Sequence, residues 1–180
     1  ITNACPNACV FCIRDRDAGW NVSNLYLDSD PSIEEIKEAF DKENAIIKGK
    51  DIKVRKVKIC GYGEPVLRAR ELPEIIRHIR ASPSDADIQL TTTGWPYFRF
   101  VSLEFQALHD LKNAGLTHVY LSMSATNRDD YLKLVKPGIA GPDERAFVDA
   151  IKFGVEAKKM GLDVTLGFIN LPNMCSSKVK

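Results

Sequence analysis

Ala114-Gly115-Leu116-Thr117-His118-Val119-Tyr120-Leu121 and Met160-Gly161-Leu162-Asp163-Val164-Thr165-Leu166 share one grammar. Each closes a helix on a glycine and then enters a β-rich run whose apolar residues read as a buried strand. A helix ending on glycine and leading into such a strand is what repeated β/α units produce. Units of that kind imply a parallel sheet with right-handed crossovers.

Working outward, the alternation continues along the chain. Ser32 caps a helix and Glu35 completes a capping box, after which Ile33, Ile36, Phe40 and Ile47 form a stripe that ends near Gly49. Val54 to Cys60 reads as a strand. Leu72, Ile75, Ile76 and Ile79 mark a helix that tolerates Pro73 in its first turn. Asp87 to Thr92 is the next strand, and a helix from about Leu103 to Ala114 leads to the Gly115 cap. His118 to Met123 is β-rich. A short helix spans Asp130–Val135 and stops before Pro137, a longer one covers Asp143–Met160, and a strand Val164–Ile169 follows. This pattern is α/β, as a (β/α) barrel or a doubly wound sheet, with chemistry expected where strands end and loops begin. No linker or low-complexity segment divides residues 1–180, so one domain is expected.

Composition narrows the class. The 180 residues are 44% hydrophobic and 27% charged, with 25 Lys plus Arg against 24 Asp plus Glu. That balance gives no basic field for nucleic acid and no acidic tail. No apolar run approaches the roughly 20 residues of a membrane span. The chain opens on Ile1, so a natural start upstream is expected. Five cysteines, three of them within eight positions, suit an intracellular metal or cluster site better than a disulfide scaffold, so a cytoplasmic protein is expected.

Those three lie in Cys5-Pro6-Asn7-Ala8-Cys9-Val10-Phe11-Cys12. Thiolates on one short loop can converge on a soft metal or an Fe–S cluster. A structural zinc site would want a fourth protein ligand, for which Cys60 is the candidate, although a small buried residue at a strand end is the plainer reading of Cys60. Three ligands leave one coordination place vacant for substrate. An electron-transfer cluster and a zinc knot are the alternatives to an enzyme.

The spacing Cys-x-x-x-Cys-x-aromatic-Cys resembles the signature of the radical S-adenosylmethionine (SAM) superfamily. Cys60-Gly61-Tyr62-Gly63-Glu64-Pro65 is similar to that family's Gly-Gly-Glu-Pro segment, and Thr92-Thr93-Gly94 to its Thr-Asn-Gly turn. Leu121-Ser122-Met123-Ser124 stands where the fourth strand carries a SAM-contacting serine. With Tyr131-Leu132-Lys133-Leu134-Val135-Lys136-Pro137, the combination most resembles the radical SAM proteins associated with TatD-type nucleases.

The resemblance implies a partial (β/α)6 TIM-like barrel, here expected to be truncated at one or both ends, because no sixth strand follows Ile169. It implies a [4Fe–4S] cluster on Cys5, Cys9 and Cys12, with S-adenosylmethionine on the remaining iron. Reductive cleavage would give methionine and a 5′-deoxyadenosyl radical that acts on an unknown substrate, with a reductant such as flavodoxin or ferredoxin. By position, Phe11 would pack near the adenine. Gly63 and Glu64 would offer backbone groups to the amino end of SAM, and Ser122, Ser124 and Thr92 would hydrogen-bond its carboxylate or ribose. Outside the resemblance, Phe11 reads equally as core, the glycines as a turn and the serines as local backbone partners. His78, His109 and His118 show no metal-binding spacing. Arg14-Asp15-Arg16-Asp17 reads as a solvated charge run, and Cys175 has no motif partner.

Overall fold

A computed structural model describes residues 1–12, 27–82, 85–101, 104–138 and 143–170. The Arg14–Asp17 run and Cys175 lie outside them. Helix α1 (Ile33–Gly49) starts as its sequence dictates: the Ser32 hydroxyl accepts from the Glu35 N–H, and the Glu35 carboxylate accepts from the Ser32 N–H. Strand β1 (Lys56–Ile59) follows, then a 3-10 turn over Pro65–Arg68, α2 (Leu72–Ala81) and β2 (Asp87–Thr92). A π turn over Tyr97–Val101 precedes α3 (Gln106–Ala114). Strand β3 (His118–Ser124), helices α4 (Arg128–Val135) and α5 (Ala146–Lys159), and β4 (Asp163–Phe168) complete the order.

The four strands pair in parallel in the order β1-β2-β3-β4. A doubly wound sheet reverses direction from its middle; a sequential order does not, so crossovers of one hand place their helices on one face. The side chains agree. Register puts Val57 and Ile59, Ile88 and Leu90, Val119 and Leu121, and Val164 and Leu166 on a common face. Ile59, Ile88, Leu90, Val119 and Leu121 are buried there with Leu72, Ile76, Leu108, Leu111 and Phe153 from the helices. The opposite face carries Lys56, Lys58, Gln89, Thr91, His118, Tyr120, Ser122 and Thr165, where Gln89 donates to the Thr91 hydroxyl and His118 meets Thr165 Oγ1 at 2.8 Å. A sheet covered by helices on one face and polar on the other is the wall of a partial TIM-like barrel.

Gly115 closes α3 in the left-handed conformation with φ 116°. Several expected boundaries shift: β1 starts at Lys56 and α5 at Ala146, and the starts of α3 and α4 move for reasons the side chains show. Helix α3 begins at Gln106, because the Tyr97 and Phe98 rings pack against Phe105 in front of it and Tyr97 Oη donates to the Glu104 carbonyl. Helix α4 begins two residues early, at Arg128, because the Asn127 side chain accepts from the Asp130 N–H and caps it.

Candidate functional site: the cysteine loop at the strand ends

Residues 1–12 lie across the C-terminal ends of β1 and β2 and are tied down on two sides. On one side the Gly63 N–H donates to the Thr2 carbonyl (3.1 Å) and the Glu64 N–H to the Ala4 carbonyl (2.8 Å). A Cβ on Gly63 would stand 2.3 Å from the Thr2 oxygen and 2.6 Å from the Ala4 oxygen, so only glycine allows this approach. Asp30 adds an outer anchor, accepting from Thr2 Oγ1 at 2.6 Å and the Asn3 N–H at 3.0 Å, bonds that hold its carboxyl below the ordinary value. On the other side the tail of α4 takes the loop. Ala8 N–H donates to the Lys136 carbonyl, Val10 N–H to that of Leu134, and Gly138 N–H to that of Pro6. Asn7 and Pro137 form an antiparallel bridge.

Between these anchors the chain turns back on itself, with the Cys12 N–H donating to the Cys9 carbonyl at 3.0 Å. Cys5, Cys9 and Cys12 are half-buried thiols outside any disulfide, and Phe11 packs partly against the core. Cys60, at the end of β1, is exposed. Among the described residues no three His, Cys, Asp or Glu side chains converge on a single metal ion.

Beneath the loop lies a buried polar network centred on Glu64. Its side chain is 2% exposed and accepts from the Val66 N–H (3.1 Å), Thr92 Oγ1 (2.5 Å), the Thr93 N–H (2.8 Å) and Thr93 Oγ1 (2.6 Å). Burial pushes its carboxyl above the ordinary value, and those donors pull the other way. Asn7 joins the loop to this network: its Nδ2 donates to Thr93 Oγ1 (3.3 Å) and to Cys5 Sγ (3.7 Å), while its Oδ1 accepts from the buried Trp95 indole N–H (2.9 Å). Glu64 thus works through its side chain. Its backbone N–H is given to Ala4 and its carbonyl to the Leu67 N–H.

The candidate residues therefore fall into two groups. Cys5, Cys9, Cys12, Gly63, Glu64 and Thr92 meet in one assembly, with the Thr92 hydroxyl committed to Glu64 and to the Gly94 N–H. Ser122 and Ser124 sit one strand over, where the pairing of β3 with β4 shifts register; Ser122 is half-buried, and Ser124 is buried with φ 61°. Sequence reasoning missed Asn7, Thr93 and Tyr131. Asn7 sits inside the cysteine motif and Thr93 inside the quoted turn, and both were legible as side chains with hydrogen-bonding capacity next to the chemistry. Tyr131, on α4, is fully buried against Phe147, and its hydroxyl has no hydrogen-bond partner among the described residues. Burial, and then the negative potentials of Glu64, Cys9 and Cys5, push its phenol well up, so it remains an O–H.

Three half-buried thiols on one tight turn are the donor set that a sulfur-rich cluster takes. The N–H groups of Gly63 and Glu64 are already used by the Thr2 and Ala4 carbonyls.

Comparison with known proteins agrees with this geometry. The sequence model of the Radical SAM superfamily matches residues 1–174. The chain is 33% identical over 169 residues to a probable GTP 3′,8-cyclase of Methanococcus vannielii, covering 92% of this chain and 49% of that protein. It is 24% identical over 180 residues to a GTP 3′,8-cyclase of Aliarcobacter butzleri, covering 99% and 47%. The chain thus spans about half the length of these curated relatives. Among solved structures, the FeFe-hydrogenase maturase HydG from Carboxydothermus hydrogenoformans superposes with a TM-score of 0.61 at 21% identity, over 93% of this chain and 34% of that one. Methylornithine synthase (PylB) gives 0.56 at 21%, over 93% and 42%. At these identities the likeness is one of fold. With the cysteine spacing, the strand-end turns and the matched length in agreement, the chain belongs to the radical SAM superfamily.

Proposed function

We propose that this chain is the core of an enzyme that binds a [4Fe–4S] cluster on Cys5, Cys9 and Cys12 and cleaves S-adenosylmethionine. The observation that carries the reading is the joining of the cysteine loop to the strand-end turns through Gly63, Glu64 and Asn7. When bound, the cluster supplies one electron, and the cleavage yields methionine and a 5′-deoxyadenosyl radical. The chain supplies position. Gly63 brings the cysteine loop against the β1 turn and offers backbone to the amino end of SAM. Glu64, Thr92 and Thr93 fix that turn. Ser122, half-buried on the polar face of β3, offers a hydroxyl to the ligand's carboxylate or ribose, with Ser124 beside it at the register shift, and Phe11 offers a ring to adenine.

The spacing of the turn around Tyr62 and the segment Tyr131–Pro137 support placement with the TatD-associated group. The relatives named as GTP 3′,8-cyclases make GTP the first compound to offer as substrate. A cytoplasmic setting with flavodoxin or ferredoxin as reductant suits the cysteine usage. Among the described residues no helix is long and apolar enough to cross a membrane.

The test is anaerobic reconstitution with iron and sulfide, followed by dithionite and SAM. A brown protein that forms 5′-deoxyadenosine, loses its cluster on Cys9→Ala and keeps it on Cys60→Ala supports the reading. A fully clustered protein whose spectrum ignores SAM and which forms no 5′-deoxyadenosine points to electron transfer instead.

A further inference from the structure

His118 and Tyr120, on the polar face of β3, both lean across β4 toward the strand ends, and they meet different partners there. His118 pairs in register with Asp163, and its ring reaches Thr165 Oγ1, two residues further along β4, at 2.8 Å. Those two polar groups satisfy each other. Tyr120 pairs with Thr165, and its ring reaches Gly167, again two residues further along. A Cβ on Gly167 would stand 2.6 Å from Tyr120 Cζ and 2.7 Å from Cε1, and closer still to Oη. The end of the ring thus fills the place of the missing methyl group. Gly167 has no side chain with which to bond the phenol.

Gly167 is the register partner of Ser122. The Tyr120 phenol therefore arrives on the rung of Ser122, one strand over. Side chains two apart on a strand share a face, and neighbouring strands lie about 4.8 Å apart. That rung carries two hydroxyls side by side, Ser122 from β3 and Tyr120 laid over β4. Both residues are half-buried, so the pair is open to the polar face. Each hydroxyl can donate one bond and accept others. Two neutral hydroxyls suit a sugar diol, whose oxygens also donate and accept; a carboxylate is met better by a cation.

We propose that Tyr120 and Ser122 together bind the 2′,3′-diol of the SAM ribose, and that Gly167 is the seat that lets the phenol reach it. The inference rests on the SAM assignment above and narrows the role given there to Ser122. Tyr120 binds and orients the ligand and takes no part in breaking the carbon–sulfur bond.

The test uses the reconstituted protein with its cluster oxidised, where SAM binds without being cleaved. It measures equilibrium binding of SAM and of the analogue whose ribose is 2′,3′-dideoxy. Tyr120→Phe keeps the ring and loses the oxygen. It should weaken SAM binding by on the order of tenfold, the worth of one hydrogen bond, and leave the analogue unchanged. Gly167→Ala should weaken SAM at least as much, since the methyl group drives the ring from its seat. In a Tyr120→Leu background, where no ring reaches the rung, Gly167→Ala should change nothing further. Iron and sulfide per chain should stay equal throughout. Unchanged SAM binding in Tyr120→Phe overturns the proposal, as does an equal loss of SAM and analogue, which marks a structural role only. Should Gly167→Ala fail to fold, Tyr120→Phe alone decides. If the unaltered protein with its cluster binds no SAM, the function proposed above fails first, which separates the two outcomes.

Discussion

The two sides of the cysteine loop are held by the same kind of bond and yet by different chemistry. On the side of β1, the loop approaches a turn so closely that no side chain fits at Gly63, and the neighbouring Glu64 carboxylate is buried among four donors. On the side of α4, the loop takes carbonyls from a helix tail whose last turn ends at Lys136, an exposed residue in the left-handed conformation with φ 46°. The first side depends on the identity of its residues. The second depends on little more than a chain path.

The largest effect should come from Gly63→Ala. The added methyl group meets backbone oxygens, which cannot step aside as a side chain can, so a loss above about 3 kcal/mol is expected. Urea unfolding and iron per chain after reconstitution would both register it.

Glu64→Gln comes next. Either placement of the amide turns its NH2 toward a backbone donor, Val66 N–H or Thr93 N–H, at a cost of about 2–3 kcal/mol. Thermal or urea unfolding at neutral pH measures it. The same residue gives a pH signature. Its carboxyl is raised above 4.5 in the folded chain, so the folded chain holds that proton more tightly than the unfolded one. Stability from this source is full below the unfolded value, declines as pH rises through the folded value, and then levels off. Glu64→Gln should flatten that part of the profile; an unchanged slope would remove Glu64 from it.

The smallest effect belongs to the α4 side. Lys136→Gly relieves a left-handed backbone but adds freedom to the unfolded chain, so a net change within about 1 kcal/mol and normal cluster content are expected. Were Lys136→Gly to empty the site as Gly63→Ala does, the contrast between the two sides would be wrong.

The sequence made the framework legible because periodicity and caps are local. Ser32 and Glu35 announced α1, Gly115 announced the end of α3, and the glycine-to-strand repeats announced a parallel sheet. Choosing the barrel by pattern alone was out of reach, because it depends on strand order. The site was legible as far as its motif residues. The hub role of Glu64 was hidden, since it arises from partners 28 and 29 positions away on another strand end. Tyr131 was hidden more deeply. It sits in an ordinary helical stripe, and only the fold buries it within reach of the charges of Glu64, Cys9 and Cys5.

The tie between Pro6 and Gly138 has a consequence for timing during synthesis. The sulfur donors leave the ribosome first, but their floor is translated last among the parts of the site, and contacts of such long separation form late in folding. Until α4 has been made and docked, the three thiols are held only from the β1 side, through Gly63 and Glu64. The half of the cradle that leans on α4 is thus completed only once the chain has been made past Gly138.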